Sequence, residues 1–180
     1  MIEIENYRAR FIDLEDIEFL NQIRLSSHVQ NNVETHLFTN NILQKDWIEK
    51  ISRSNKEKYL ILEFKNSKEY DKIGLICLTD LDFINRSISV GGHILEDFSS
   101  KGHGKKMYEI IFEICFNVWN MNRMCLVVLK KNQKAINLYN KMGFVIDGVL
   151  SKAVFKNGRY EDYLLMSMLQ EEYINSQNKQ

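Results

Sequence analysis

A pair of glycines in the run Ser99-Ser100-Lys101-Gly102-His103-Gly104-Lys105-Lys106 separates a short apolar strand pattern from the strongest helical pattern in the chain. From Lys101 to Trp119, the residues Met107, Ile110, Ile111, Ile114 and Val118 recur at three- and four-residue spacing, which predicts one buried helix face. A strand that passes through a glycine turn into a helix presents successive backbone amides, and such a nest binds a phosphate without any charged side chain. Gly102 and Gly104 let the main chain turn tightly, while Lys101, Lys105 and Lys106 add positive charge nearby. A lone Gly-x-Gly also fits an ordinary connecting loop. No third glycine completes a Gly-x-Gly-x-x-Gly and no Lys-Ser/Thr pair follows, so the dinucleotide and magnesium-nucleotide motifs fall away.

A second segment lies about thirty residues further on: Asn132-Gln133-Lys134-Ala135-Ile136-Asn137-Leu138-Tyr139, closed by Lys141-Met142-Gly143-Phe144. Asn132 is placed to cap this helix, Ala135, Ile136 and Tyr139 to face inward, and Gly143 to end it. Between the two helices, Arg123 to Leu129 is almost continuously apolar, which predicts a strand covered on both faces. Earlier, Glu3 to Arg10 predicts an opening strand, and Asp13 with Asp16 starts a helix through Phe19, Leu20 and Ile23. Ser26 to Asn41 is polar and Asn-rich, a mobile loop or an irregular helix pair. Leu43 to Ile51 has helical spacing, with Trp47 and Ile51 on one face. Strands are expected at Lys58 to Phe64, Ile73 to Thr79 and Ser87 to Leu95, and a late hairpin pairs Phe144 to Phe155 with Glu161 to Met168 through Asn157-Gly158. Gln170 to Gln180 predicts a polar tail, frayed at its end. The pattern implies one α/β domain over residues 1–170, a central mixed, twisted sheet with helices on both faces, and a tail over 171–180.

Lys plus Arg and Asp plus Glu each number 24, so the formal net charge is zero and no uniformly basic nucleic-acid surface is indicated. Cys77, Cys115 and Cys125 each sit in an apolar stretch without paired metal-ligand spacing, which favours free buried thiols over a disulfide or a metal site. No leader pattern opens the chain, and no apolar run approaches the ~20 residues that span a bilayer, so a cytoplasmic protein with no membrane partner is expected. Val154 and Phe155 would either form a homodimer edge or complete the core.

The two segments together resemble the GNAT superfamily of acyl-CoA N-acyltransferases, and within it the branch holding spermidine, ribosomal-protein N-terminal and nucleotide-amino-sugar acetyltransferases. The family pattern Gln/Arg-x-x-Gly-x-Gly/Ala falls on Ser99 to Gly104, with Ser99 in place of the usual Gln or Arg. The resemblance implies an acyl-CoA N-acyltransferase fold and acetyl-CoA as the acyl donor. It implies that Ile94 and Leu95, on the strand that also carries Gly91 and Gly92, offer main-chain groups to the pantetheine arm. Ser99, Ser100, Lys101, Gly102, His103, Gly104 and Lys105 would hold the phosphates. Asn132 and Ala135 would lie beside the pantetheine, and Tyr139 close to the sulfur.

Amide formation from a thioester needs an unprotonated amine, a donor for the oxyanion and an acid for the departing thiolate, here by direct attack in a ternary complex. Tyr139 is the candidate acid; a buried core aromatic is the competing reading of the same spacing. His93 is the candidate base, with Asp80 and Glu34 as carboxylate alternatives. The acceptor is expected against the early helices and the loop after Asp80. There the neutral surface of His28, Asn31, Asn32, His36, Asn40 and Asn41, with Trp47 to stack on a ring, predicts an amino sugar or a nucleotide-linked amino sugar. Glu34, His36, Trp47 and Asp80 are the expected acceptor contacts. A protein N-terminus and a polyamine are alternative acceptors, and a noncatalytic acyl-CoA-binding module is the alternative outside enzymes.

Overall fold

The computed structural model describes residues 1–33, 39–67 and 69–178. Among the described residues, eight strands form one sheet: β1 (Ile2–Ile4), β2 (Tyr7–Phe11), β3 (Lys58–Asn66), β4 (Glu69–Asp82), β5 (Ser87–Ile94), β6 (Arg123–Leu129), β7 (Val145–Lys156) and β8 (Arg159–Leu169). Their order across the sheet is β1-β2-β3-β4-β5-β6-β8-β7. Every neighbouring pair is antiparallel apart from β5 and β6, which run parallel, so the sheet is mixed as expected.

Alternation along the central strands supplies both cores. Leu60, Leu62, Ile76 and Leu78 face one side, covered by α4 (His103–Phe112) and α5 (Gln133–Met142), whose Met107, Tyr108, Ile111 and Ile136 complete that core. Ile61 and Leu75 face the other side, under α1 (Ile17–Leu25) and α3 (Asn41–Ser52), which contribute Phe19, Leu20, Ile23, Ile48 and Ile51. A single-turn α2 (Ser27–Gln30) follows α1, begun by the Ser26 hydroxyl accepting from the Val29 amide at 3.3 Å. None of the described helices is long and apolar enough to cross a membrane.

Several local expectations change. The opening strand is a hairpin, because Glu5 takes a φ of 53° and turns the chain between β1 and β2. Asp13 and Asp16 do form a capping box, but Asp16 is also fully buried, bound by Arg10 at 2.7 Å and Lys72 at 2.6 Å. The long helix continues from α4 into π-helical turns over Glu113–Val118. A π-turn takes more residues per turn than an α-turn, so the apolar stripe loses phase and Val118 emerges 56% exposed instead of joining the core. Within the expected polar tail, Gln170–Gln177 forms a helix, α6; Tyr173 anchors it on the rings of Phe112 and Phe116, with centroids 5.4 and 5.0 Å away. Val154 is buried with Leu129 and Tyr163, while Phe155 remains exposed beside Tyr160.

Candidate active site

The parallel pairing of β5 and β6 lasts three residues, Ser87 to Ser89 against Arg123 to Cys125. Beyond that point β5 follows β4, with Gly91 opposite Cys77 and Ile94 opposite Gly74, whereas β6 follows β8 from Leu126 to Leu129. The two strands separate, and the main-chain groups on their facing edges have no ladder to satisfy them. A cleft of about 940 Å³ opens in the gap. Gly92 keeps its floor close to α4, since a Cβ there would lie 2.4 Å from the Met107 sulfur and 3.1 Å from the Leu75 carbonyl oxygen. Val127 is 41% exposed because its face of β6 looks into this cleft, so the strand is not covered on both sides as its composition suggests.

At one end of the cleft, Ser100 and Gly102 take φ values of 62° and 90°, and the chain turns directly into α4. No side chain caps that helix; the Lys105 and Lys106 amides donate to the Gly102 carbonyl, and the His103 and Gly104 amides before them are left for a ligand. A site of this kind takes an anion, and the partial positive charge of the helix end adds to it. Ser99, Ser100, Gly102, Gly104 and Lys105 line the cleft here. Lys134 was not singled out from sequence, yet its ammonium reaches from the first turn of α5 to donate to the Ser99 hydroxyl at 2.7 Å. The signal was its position two residues after the Asn132 cap, where the positive charge falls beside the glycine loop. Lys101 lies over the ring of Phe98 at 5.9 Å and is not among the lining residues. His103 turns the other way from the expected one: it is 7% exposed, packs against Phe64 and Phe98, and meets the Tyr7 hydroxyl through Nδ1 at 2.7 Å.

Further in, Asn132 caps α5 by accepting from the Ala135 amide at 3.2 Å, and both residues line the cleft. Tyr139 stands one helical turn beyond Ala135, walled by the rings of Tyr108 and Phe144. Burial pushes the Tyr139 phenol up, and interaction with Tyr108 offsets part of that rise, so at neutral pH it holds its proton. Ile94 lines the cleft; Leu95 instead gives its amide to the Ile73 carbonyl at 2.9 Å.

His93 lines the cleft on β5. Burial first, then the positive charges of Arg24 and His28, push its imidazole down to about 4. It is neutral throughout the physiological range. Cys77 beside it is pushed up to about 12 by burial, so that thiol is also neutral.

The remaining wall comes from α2 and the residues after it, with His28, Val29, Asn32 and Val33 facing the cleft, and from Asp80 at a bulge in β4. Trp47 is not there. Its indole carries the Arg24 guanidinium at 3.8 Å and meets Tyr59 edge-on at 4.7 Å, so both its face and its edge are occupied away from the cleft. Glu34 and His36 lie outside the described residues.

The structure can therefore hold an extended ligand with an anionic end at α4, amide-like groups along the separated strands, and a further group in the cleft that Tyr139 and His93 line. That describes the donor set a coenzyme A thioester needs: amides for phosphate, unpaired backbone for pantetheine, and a partly buried phenol in the same cleft.

The same conclusion follows from comparison with known proteins. The model of the acetyltransferase (GNAT) domain matches residues 8–145. Spermidine N(1)-acetyltransferase of Escherichia coli is 24% identical over 97% of this chain and 91% of its own length. The Vibrio cholerae enzyme of the same name is 31% identical over 67% of this chain and 68% of its own. A crystal structure of the Vibrio cholerae spermidine N-acetyltransferase in complex with CoA and spermine superposes with a TM-score of 0.88 at 25% identity, covering 94% of this chain and 99% of that one. A putative ribosomal N-acetyltransferase of Bacillus subtilis is 26% identical over 56% of this chain and 55% of its own length. The chain belongs to the GNAT family of acetyl-CoA-dependent N-acetyltransferases.

Proposed function

We propose that this enzyme acetylates a small polyamine, with Tyr139 as the acid that protonates the departing thiolate. The spermidine acetyltransferases among its relatives support that acceptor, and Asp80 supplies a carboxylate in the cleft to meet an ammonium group. The amino-sugar expectation is withdrawn: the spermidine acetyltransferases among the relatives favour a polyamine, and Trp47, the ring added to the neutral Asn- and His-rich surface for stacking, is taken by Arg24 and Tyr59. Glu34, next in the chain to the cleft residue Val33, is the second carboxylate we assign to the acceptor.

When bound, acetyl-CoA supplies an acyl group already activated as a thioester. The amides at the start of α4, with Lys105 and Lys134, bind the phosphates; the free edge of β5 aligns the pantetheine. An alkylammonium near pKa 10.4 cannot pass its proton efficiently to an imidazole near 4, a gap of about six units. His93 therefore accepts a hydrogen bond from the neutral amine and orients it, and the ammonium proton leaves to solvent with Asp80 alongside. Tyr139, protonated and aimed into the cleft by the cap at Asn132, gives its proton to sulfur.

The observation that carries this reading is a protonated, partly buried phenol lining the same cleft as the phosphate nest. Tyr139→Phe tests it. Turnover should fall about 100-fold, in the range of a lost general acid, with CoA affinity kept within a factor of about three. Unchanged turnover would exclude Tyr139 as the acid.

A further inference from the structure

Tyr108 is an anomaly beside Tyr139. It is 2% exposed, borders the cleft, and its hydroxyl makes no hydrogen bond of standard geometry among the described residues. Three rings pack edge-on around it: Tyr139 at 5.3 Å, Phe144 at 5.8 Å and Phe112 at 6.3 Å. Of these only Tyr139 bears a hydroxyl. A buried phenol that interacts with Tyr139 without closing a hydrogen bond of standard geometry is costly, and phenylalanine would fill the same volume without that cost. A tyrosine here makes sense if its O–H closes fully on the Tyr139 oxygen during turnover.

We propose that Tyr108 is a positioning residue that acts through Tyr139, donating its hydroxyl hydrogen to the Tyr139 oxygen as that oxygen becomes anionic. The proposal rests on Tyr139 being the acid. During transfer the C–N bond forms and the C–S bond breaks; the bonding pair leaves on sulfur, and the Tyr139 proton moves to it. The electron pair left on the Tyr139 oxygen then accepts from Tyr108, which keeps its own proton. The first proton, shed by the ammonium, stays in solvent; the second, which nitrogen loses once the C–N bond has formed, returns Tyr139 to the neutral phenol through solvent. A preorganised donor aimed at the site where charge develops lowers the barrier more than it stabilises the ground state. The same relation explains the opposite influences within the pair: Tyr108 lowers the Tyr139 phenol, and Tyr139 raises that of Tyr108 in addition to its burial.

The experiment is a double-mutant cycle of Tyr108→Phe and Tyr139→Phe, read as steady-state acetyl transfer to spermidine, CoA affinity and thermal midpoint. Tyr108→Phe should lower kcat about five- to tenfold, leave both KM values within a factor of about two, and keep or raise the thermal midpoint. In the Tyr139→Phe background the same substitution should cost nothing further. Undiminished kcat in Tyr108→Phe overturns the proposal, as does a full loss that persists in the Tyr139→Phe background, which would mean Tyr108 acts on the substrate directly. A lowered midpoint with raised KM values would make Tyr108 structural and equally overturn it. If Tyr139→Phe itself leaves kcat unchanged, the acid assignment fails first, and that outcome is distinct from the others.

Discussion

The ammonium of Lys156, 1% exposed near the tip of the β7–β8 hairpin, donates to the Val33 carbonyl at 2.6 Å, joining residues 123 apart in sequence. It also donates to the Gln30 carbonyl at 2.5 Å. Two carbonyls, at the end of α2 and just beyond it, thus share one buried charge, and the stretch they fix, His28 to Val33, contributes the cleft wall that we assign to the acceptor. Replacing Lys156 with Met keeps the volume and removes both bonds. The KM for spermidine should rise about tenfold while CoA affinity holds, with stability falling by about 2 kcal/mol for the lost charge-assisted bonds. Equal loss of affinity for both substrates would contradict a role confined to the acceptor wall.

At the opposite end, Gly102 has a φ of 90° with open space where a Cβ would stand. Alanine meets no neighbour there but is strained by the backbone itself, at a cost of about 1 kcal/mol. The chain can relieve that strain only by rotating the amides that begin α4. Gly102→Ala should therefore raise the KM for acetyl-CoA about tenfold with little change in kcat, measured by varying acetyl-CoA at saturating amine.

The positions of these two residues separate what the sequence makes legible from what it hides. The glycine turn, the Asn132 cap and the inward Tyr139 follow from local chemistry: each needs a particular residue at a particular offset, and each is found where that chemistry puts it. The role of Lys156 is invisible from its neighbours, because its partners come from the other end of the chain. His103 misleads for a related reason. Its place in the glycine loop suggests a ligand, but Tyr7, Phe64 and Phe98 from elsewhere in the chain enclose it. Trp47 is likewise claimed by Arg24 and Tyr59, and the phase of Val118 is lost to π-helical turns that apolar spacing cannot reveal.

His93 has a pH signature. Its imidazole is held near 4 in the fold and titrates near 6.5 when unfolded, so below pH 6.5 the unfolded chain binds the extra proton. Stability is full above 6.5 and falls as pH drops toward 4. Between pH 7.5 and 5 this group alone should remove about 2 kcal/mol, a difference that His93→Asn abolishes in paired denaturation curves. For the same reason kcat/KM should climb with pH toward the amine pKa without an inflection near 6.5. An inflection there, lost in His93→Asn, would show a base that titrates in the working range.

The central claim is acetyl transfer from acetyl-CoA to a polyamine. It is tested most directly by thiol release from acetyl-CoA with spermidine, spermine, 4-amino sugars, their nucleotide-linked forms and short peptides as acceptors. The account predicts saturable release with spermidine or spermine, at least about tenfold higher in kcat/KM than with any sugar or peptide. Release confined to the sugars or peptides, or none with any amine despite CoA binding, would contradict it.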